Sequence, residues 1–541
     1  MKVKRLVAGA MVFASAALLA ACGSKSSSSS SETFNRMEKD VISTMDNAHI
    51  TDVISGQAAV DTGDGLYRYK GKKLEPAVAT KVVKPTNNGL TYPFNLRKTK
   101  WSNGDPVTAK DFVFAWKRAA DPKTKSEYAY LFSGIKNADD ITAGKKAAST
   151  LGVKAEGDYK LVVTMDRPVP YFSTMMVNPV FFPLNQKTVD KYGKKFGTQS
   201  KYLVFNGPFK LTNWNGTGNS WDEVKNTSYW NAKQVKLDKI HVQVVKDSNT
   251  AANLFATKKL DDAVLTGEIA KQHAKDKDYV GDKQGRTTYL DMNEEKVPDF
   301  KNLKLRQAVA MAINRDEFAN KVIGDGSFGI STITPENSGS NPKTGEDFSK
   351  EAAKESKTVQ TYDLKKAKQL WAEGLKEVGK SGEDVTLTTD DTDVAKKSAE
   401  YLQSALEQLP GMKVSISSVP FKTRIQRSLD GSAQFILSGW QGDFPDPISF
   451  LDLYTTGNTY NFSHWSNKQY DDLIKASKGT DANSETKRYD DLLKAQELLS
   501  KESPVATLYQ TVQGHLRNPK LKGATFSPAN MYNFVGAYMA K

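Results

Sequence analysis

The side chains best suited to catalysis are few in this chain and far apart. There is one cysteine, Cys22, and there are five histidines: His49, His241, His273, His464 and His515. None of the histidines falls in a zinc-protease helix motif, and no serine stands in a nucleophile-elbow turn. Gly324-Asp325-Gly326-Ser327-Phe328-Gly329 spells a dinucleotide fingerprint, whose glycines would let backbone approach a pyrophosphate. It follows a helical stretch instead of a strand, and Ile330 to Pro335 does not open a helix, so it reads as a loop. Asp390, Asp391 and Asp393 could offer oxygens to calcium, but the glycine and terminal glutamate of a calcium loop are missing. They read as an exposed strand-to-helix loop. No catalytic constellation is recognisable in these residues, so no enzyme activity, cofactor or metal is expected.

Cys22 has another use. Lys2, Lys4 and Arg5 make a positive start, and Leu6 to Ala21 is an apolar, alanine-rich run too short for a comfortable membrane span. Residues 1–21 therefore read as a signal peptide. Leu19-Ala20-Ala21-Cys22, with Gly23 next, resembles the lipobox of bacterial lipoproteins, whose cysteine is acylated and heads the mature chain. A secreted chain with a single thiol closes no internal disulfide, which leaves Cys22 free to be that anchor. Residues 22–31 then form the lipidated cysteine and a serine-rich tether, with seven serines and a lysine over Ser24 to Ser31. The expectation is a lipoprotein at the extracytoplasmic face of the cell membrane, in a Gram-positive bacterium.

About 510 residues follow the tether, enough for two or more domains with substantial cores. No second apolar run approaches the length of a bilayer span. The formal charge is +14, and the leader carries three of those charges, leaving about +11 for the body. Lysine and arginine are interleaved with aspartate and glutamate, with no concentrated basic helix, which argues against nucleic acid as a partner. Solubility at a polyanionic cell wall accounts for the excess.

The body reads as mixed α/β. Ile240, Val242 and Val244 share one strand face, and Leu161, Val163 and Met165 repeat the pattern. Order is clearest between Glu383 and Trp440. There Val385 to Thr389, Lys413 to Val419 and Gln434 to Gly439 read as strands, separated by helices at Ala399 to Leu409 and around Lys422 to Leu429. Such alternation calls for parallel strands with right-handed crossovers. Ligands of that architecture sit beyond the carboxyl ends of the strands, which points to Trp440 and the loop after it.

Four stretches then carry a resemblance. The first runs Trp101-Ser102-Asn103-Gly104-Asp105-Pro106-Val107-Thr108-Ala109-Lys110-Asp111-Phe112-Val113-Phe114-Ala115-Trp116-Lys117-Arg118. It predicts a turn, a capping box from Thr108 to Asp111, and a helix burying Phe112, Val113 and Trp116. The second is Asn206-Gly207-Pro208-Phe209-Lys210-Leu211. The third is Tyr289 to Asn293 followed by Leu305 to Arg315, in which Leu305, Ala308, Val309, Ala312 and Ile313 form a core face and Arg306 and Arg315 pack or pair. The fourth is Gly439-Trp440-Gln441-Gly442-Asp443-Phe444-Pro445-Asp446-Pro447 with Phe450, Leu451, Asn461 and Phe462. In this order they resemble the family 5 solute-binding proteins, the peptide, dipeptide and nickel receptors of ABC importers.

That resemblance implies a two-lobed, periplasmic-binding-protein-like α/β fold (type II, cluster C) with an extra domain in the first lobe. Residues 32–75, 204–287 and 509–541 would form the first lobe, 76–203 the inserted domain and 288–508 the second lobe. The protein would capture oligopeptides between the lobes as a monomer and deliver them to a membrane permease. By the same resemblance Asp443 would hold the peptide's α-ammonium, with Asp446 the alternative. The backbone of Gly439, Trp440 and Gln441 would pair with the peptide, and the Trp440 indole would line a side-chain pocket. Asp46-Asn47-Ala48-His49-Ile50-Thr51 resembles an early strand flanking the ligand, which adds His49 and Ile50 to the expected site. Rival readings are the same fold with a signalling peptide, haem or nickel complex as cargo, and a surface adhesin.

Overall fold

The computed structural model describes residues 32–541, so the leader, Cys22 and the tether lie outside the described residues. Ile240 and Val242 are fully buried while His241 and Gln243 are half-exposed, the period of two expected of a one-sided strand. They belong to a mixed sheet of eleven strands. In chain order these are β1 (Thr33–Glu38), β2 (Phe209–Thr212), β3 (Ser220–Lys225), β4 (Lys239–Val244), β5 (Asp262–Leu265), β6 (Tyr279–Met292), β7 (Phe328–Gly329), β8 (Glu383–Asp390), β9 (Met412–Val419), β10 (Phe435–Gln441) and β11 (Val505–Arg517). Across the sheet they run β9-β8-β10-β6-β11-β5-β1-β4-β3-β2, with β7 on β11. Five of the helices are α1 (Ala109–Ala120), α2 (Leu303–Ala312), α3 (Asp393–Leu406), α4 (Phe421–Leu429) and α5 (Glu485–Glu502).

β6 and β11 hold the sheet together. They are 14 and 13 residues long, against about 5–6 for an ordinary strand. They pair antiparallel from Tyr279↔Leu516 to Asp291↔Val505, with register shifts between Lys283 and Thr287 and between Thr288 and Tyr289. Irregularities of this kind bend and twist a ladder. β5 joins β11 at one end of the pair, and β10 joins β6 at the other. One end thus carries β1 to β5, and the other carries β8 to β10.

The alternation read between Glu383 and Trp440 is present as β8-α3-β9-α4-β10. β8 and β9 are parallel over their whole lengths, and β10 runs parallel to β8 at Leu387↔Phe435 and Thr388↔Ile436. In α2, Leu305, Ala308, Val309 and Ala312 are buried as their spacing requires, and Ile313 just beyond is buried too. Arg306 lies 3.1 Å from Glu294 and 3.2 Å from Glu502. Arg315 donates to the carbonyls of Thr507, Ala310 and Ile313 and to Gln360 Oε1. Both arginines therefore serve packing, not ligand capture.

Residues 76–203 supply a separate three-stranded sheet of Thr91–Asn95, Lys160–Thr164 and Val153–Ala155, covered by α1. The turn before α1 has Gly104 at φ +93°, and the Thr108–Asp111 capping box closes as expected. Phe112 and Trp116 are fully buried, while Val113 is only partly so. The Trp116 ring lies edge-on to Phe132, Phe172 and Phe181, and its Nε1 donates to the Phe181 carbonyl at 2.9 Å. Burying a side chain of this size contributes roughly 3 kcal/mol. This core runs on into Phe444, Ile448, Tyr454 and Ile474, so the module is packed against the segment that follows β10.

Among the described residues, no helix is long and apolar enough to cross a membrane.

Candidate functional site

β10 ends in Gly439-Trp440-Gln441, and the two edges of that tripeptide differ. One edge pairs with β6 through Thr288↔Gly439, Thr287↔Trp440 and Arg286↔Gln441. The partnership with β8 on the other edge stops at Ile436. Among the described residues no strand covers that edge from Leu437 to Gln441. Gly439 packs closely against β6. A Cβ would stand 3.0 Å from Arg286 Nη2 and 3.2 Å from the Thr287 carbonyl. Beyond the strand, Gly442 donates its N–H to the Gly285 carbonyl at 3.0 Å, and Pro445 and Pro447 prevent further pairing.

The loop so formed presents Asp443 to a cavity of about 480 Å³, walled by Tyr130 and Tyr171 of the inserted module and by Trp440 and Tyr460. Ser449 Oγ accepts the Asp443 backbone N–H at 3.0 Å, which fixes the start of the turn. Tyr130 Oη donates to Asp443 Oδ2 at 2.8 Å, and no cation among the described residues lies within ion-pair distance of the carboxylate. Burial pushes the Asp443 carboxyl up to about 6, and the Tyr130 hydrogen bond draws it part of the way back. The Tyr130 phenol is raised in turn, by burial and by the Asp443 charge. Tyr171 stacks on Phe444 with centroids 4.7 Å apart, and Trp440 leans on Tyr460 at 5.0 Å. The indole Nε1 of Trp440 is buried with no hydrogen-bond partner, a donor available to a ligand acceptor.

Of the two neighbouring acids, Asp446 is already satisfied. It accepts from Arg488 Nη1 at 3.0 Å and Nη2 at 2.7 Å, and its Oδ1 caps Ile448 N. Asp443 has a phenol beside it and no charge.

The early strand expected at Asp46 to Thr51 is a turn instead. His49 N donates to the Asp46 carbonyl, and the Asp46 carboxylate is held by both terminal nitrogens of Arg118 at 2.6–2.7 Å while accepting Ala48 N. That clamp bends the chain where a strand would have to be straight. His49 Nδ1 lies 3.3 Å from Glu127, and Ile50 is buried beside a separate cavity of about 60 Å³. Neither lines the Asp443 cavity. Trp440 and Asp443 do meet there, with Gly439 and Gln441 on the strand leading in. Tyr130, Arg167 and Tyr171 come from segments with no periodic or motif signal to mark them, and Tyr460 stands just before the Asn461-Phe462 pair without itself being marked.

The remaining motifs are accounted for locally. Asp390 accepts from Arg424 Nε at 2.7 Å, and Asp393 opens α3. Gly324 takes φ +68° as the cap of the preceding helical segment, and the fingerprint ends in the two-residue β7. Four more histidines each face a carboxylate of their own: His241 with Asp222, His273 with Asp276, His464 with Glu295 and His515 with Asp262. Among the described residues no group of three or more His, Cys, Asp or Glu could hold a metal ion.

Comparison with known proteins gives a consistent result. The family model for bacterial extracellular solute-binding proteins, family 5 (middle), matches residues 73–462. A dipeptide-binding protein of Lactococcus lactis subsp. cremoris is 38% identical over 100% of both chains. Listeria monocytogenes OppA bound to peptide has a TM-score of 0.79 at 37% identity, covering 95% of this chain and 100% of that one. The pheromone receptor PrgZ has a TM-score of 0.78 at 34% identity, covering 94% of this chain and 100% of that one.

Proposed function

The chain belongs to the bacterial extracellular solute-binding proteins of family 5, and from that premise we propose that it captures peptides by their free amino end and delivers them to an ABC importer. Its fold is the two-lobed, type II periplasmic-binding-protein-like α/β fold of its structural neighbours. One observation carries the reading. A carboxylate with no cationic partner, Asp443, projects into a cavity beside a strand edge that has no partner. An α-ammonium supplies the missing charge through a charge-assisted hydrogen bond. An extended peptide supplies the missing strand for Gly439 to Gln441, and backbone pairing carries no sequence information. The relatives named for dipeptide and peptide binding support the same cargo.

The lobes are taken as 32–75, 204–287 and 509–541 on one side and 288–508 on the other, with 76–203 inserted. On this division β6 and β11 are the two crossings between lobes, and their register shifts near Lys283 to Tyr289 are where hinge closure bends them. Cys22, acylated after removal of residues 1–21, would anchor the protein outside the membrane near its permease.

The test is calorimetric titration with a short peptide and its N-acetylated form. Acetylation removes the ammonium and is expected to weaken binding by about 30-fold or more, the equivalent of about 2 kcal/mol. Equal affinities would overturn ammonium recognition at any residue. An adhesin acting through its lysine-rich surface would instead ignore acetylation and weaken with salt.

A further inference from the structure

Four charged side chains line the Asp443 cavity: Arg167, Asp443, Asp452 and Lys478. Two of them neutralise each other, because Lys478 Nζ donates to Asp452 Oδ1 at 2.6 Å. Arg167 and Asp443 are left over. Neither lies within ion-pair distance of the other, or of any other opposite charge among the described residues. Arg167 is half-buried, its Nη2 donates to Ser133 Oγ at 3.2 Å, its charge also acts on the neighbouring Tyr171 phenol, and its Nη1 is buried with no hydrogen-bond partner.

The surroundings hold the guanidinium in place without satisfying it. Asp166, next in the chain, is turned away and accepts the Asn137 N–H at 2.8 Å. Pro168 restricts the Arg167 backbone to extended conformations. Gly134, at φ +93°, leaves room for the side chain: a Cβ there would stand 2.6 Å from Val169 Cγ2 and 3.4 Å from Arg167 Cζ. A guanidinium with one buried donor unmade and no carboxylate beside it gains from an acid supplied by a ligand. Arginine's planar fork is suited to a carboxylate taken by two parallel N–H donors.

We infer that Arg167 binds a ligand carboxylate in the cavity where Asp443 takes the α-ammonium, so that the site selects peptides with a negative charge close to their amino end. This rests on Asp443 being the residue that holds the ammonium. Two sources share that chemistry. One is the terminal carboxylate of a dipeptide, and the other is an acidic side chain near the start of a longer peptide.

Calorimetry with two matched pairs separates them. The pairs are alanyl-alanine against its C-terminal amide, and the tetrapeptide Ala-Asp-Ala-Ala against Ala-Asn-Ala-Ala. The wild-type protein is expected to prefer the carboxylate member of one pair by roughly tenfold or more. Preference in the first pair assigns the terminal carboxylate, and preference in the second assigns the side chain. Arg167→Met should bring that ratio close to one while the melting temperature stays unchanged, and Arg167→Lys should keep part of it. Ratios near one in both wild-type pairs would overturn the inference, as would a preference that survives Arg167→Met. If Arg167→Met does not fold, the wild-type ratios and Arg167→Lys decide. Ammonium recognition by Asp443 fails separately, through equal binding of free and N-acetylated peptides.

Discussion

Replacing Asp443 by Asn raises the dissociation constant for free peptides by about 30-fold or more, roughly 2 kcal/mol. Asn keeps the size of the side chain and can still accept the Tyr130 hydroxyl, so the loop is expected to stay in place. What it loses is the charge proposed to face the α-ammonium. The same residue sets the pH response. Burial holds the Asp443 carboxyl up near 6, and an ammonium bound beside it would favour the ionised form and lower it. Affinity is therefore highest between pH 6 and about pH 8, where the peptide's own ammonium begins to deprotonate, and it falls as pH drops through 6, approaching about tenfold per unit. The Asn variant should bind weakly with no such inflection. An Asp443→Asn protein that binds peptides as tightly as wild type, or keeps the inflection, would remove Asp443 from the site.

The second large effect is on the wall opposite. Trp116→Ala empties the space between Phe132, Phe172 and Phe181 and leaves the Phe181 carbonyl without its donor. Large aromatic truncations of this kind cost about 3–5 kcal/mol. Denaturant titration should show that loss, with peptide affinity falling as well. Phe132 lies two residues after Tyr130, the residue that steadies Asp443, and Phe172 directly follows Tyr171 in the cavity wall. A Trp116→Ala protein with unchanged stability would contradict the packing described for the module.

Local chemistry made much of the fold readable from the chain. The β8-α3-β9-α4-β10 run declared itself because each segment carries its own period. The Thr108 capping box declared itself because both partners lie within four residues. The candidate site was legible only where it is continuous in sequence, at Gly439 to Asp443. Everything that distinguishes Asp443 from Asp446 comes from afar, from Arg488 on α5 and from Tyr130 on the inserted module. The misplaced early strand has the same origin. Asp46 to Thr51 has a plausible local pattern, but Arg118 reaches Asp46 from 72 residues away and closes the segment into a turn. Arg167 illustrates the limit best. Its meaning lies in what it does not touch, and no sequence pattern reports the absence of a partner.

Native mass spectrometry of the protein purified from rich medium identifies the cargo it carries. Co-purified ligands whose fragmentation yields peptide ladders with free amino ends are expected. A protein carrying haem, a metal complex or a non-peptide solute instead would contradict peptide capture and leave Asp443 as a structural residue of its loop.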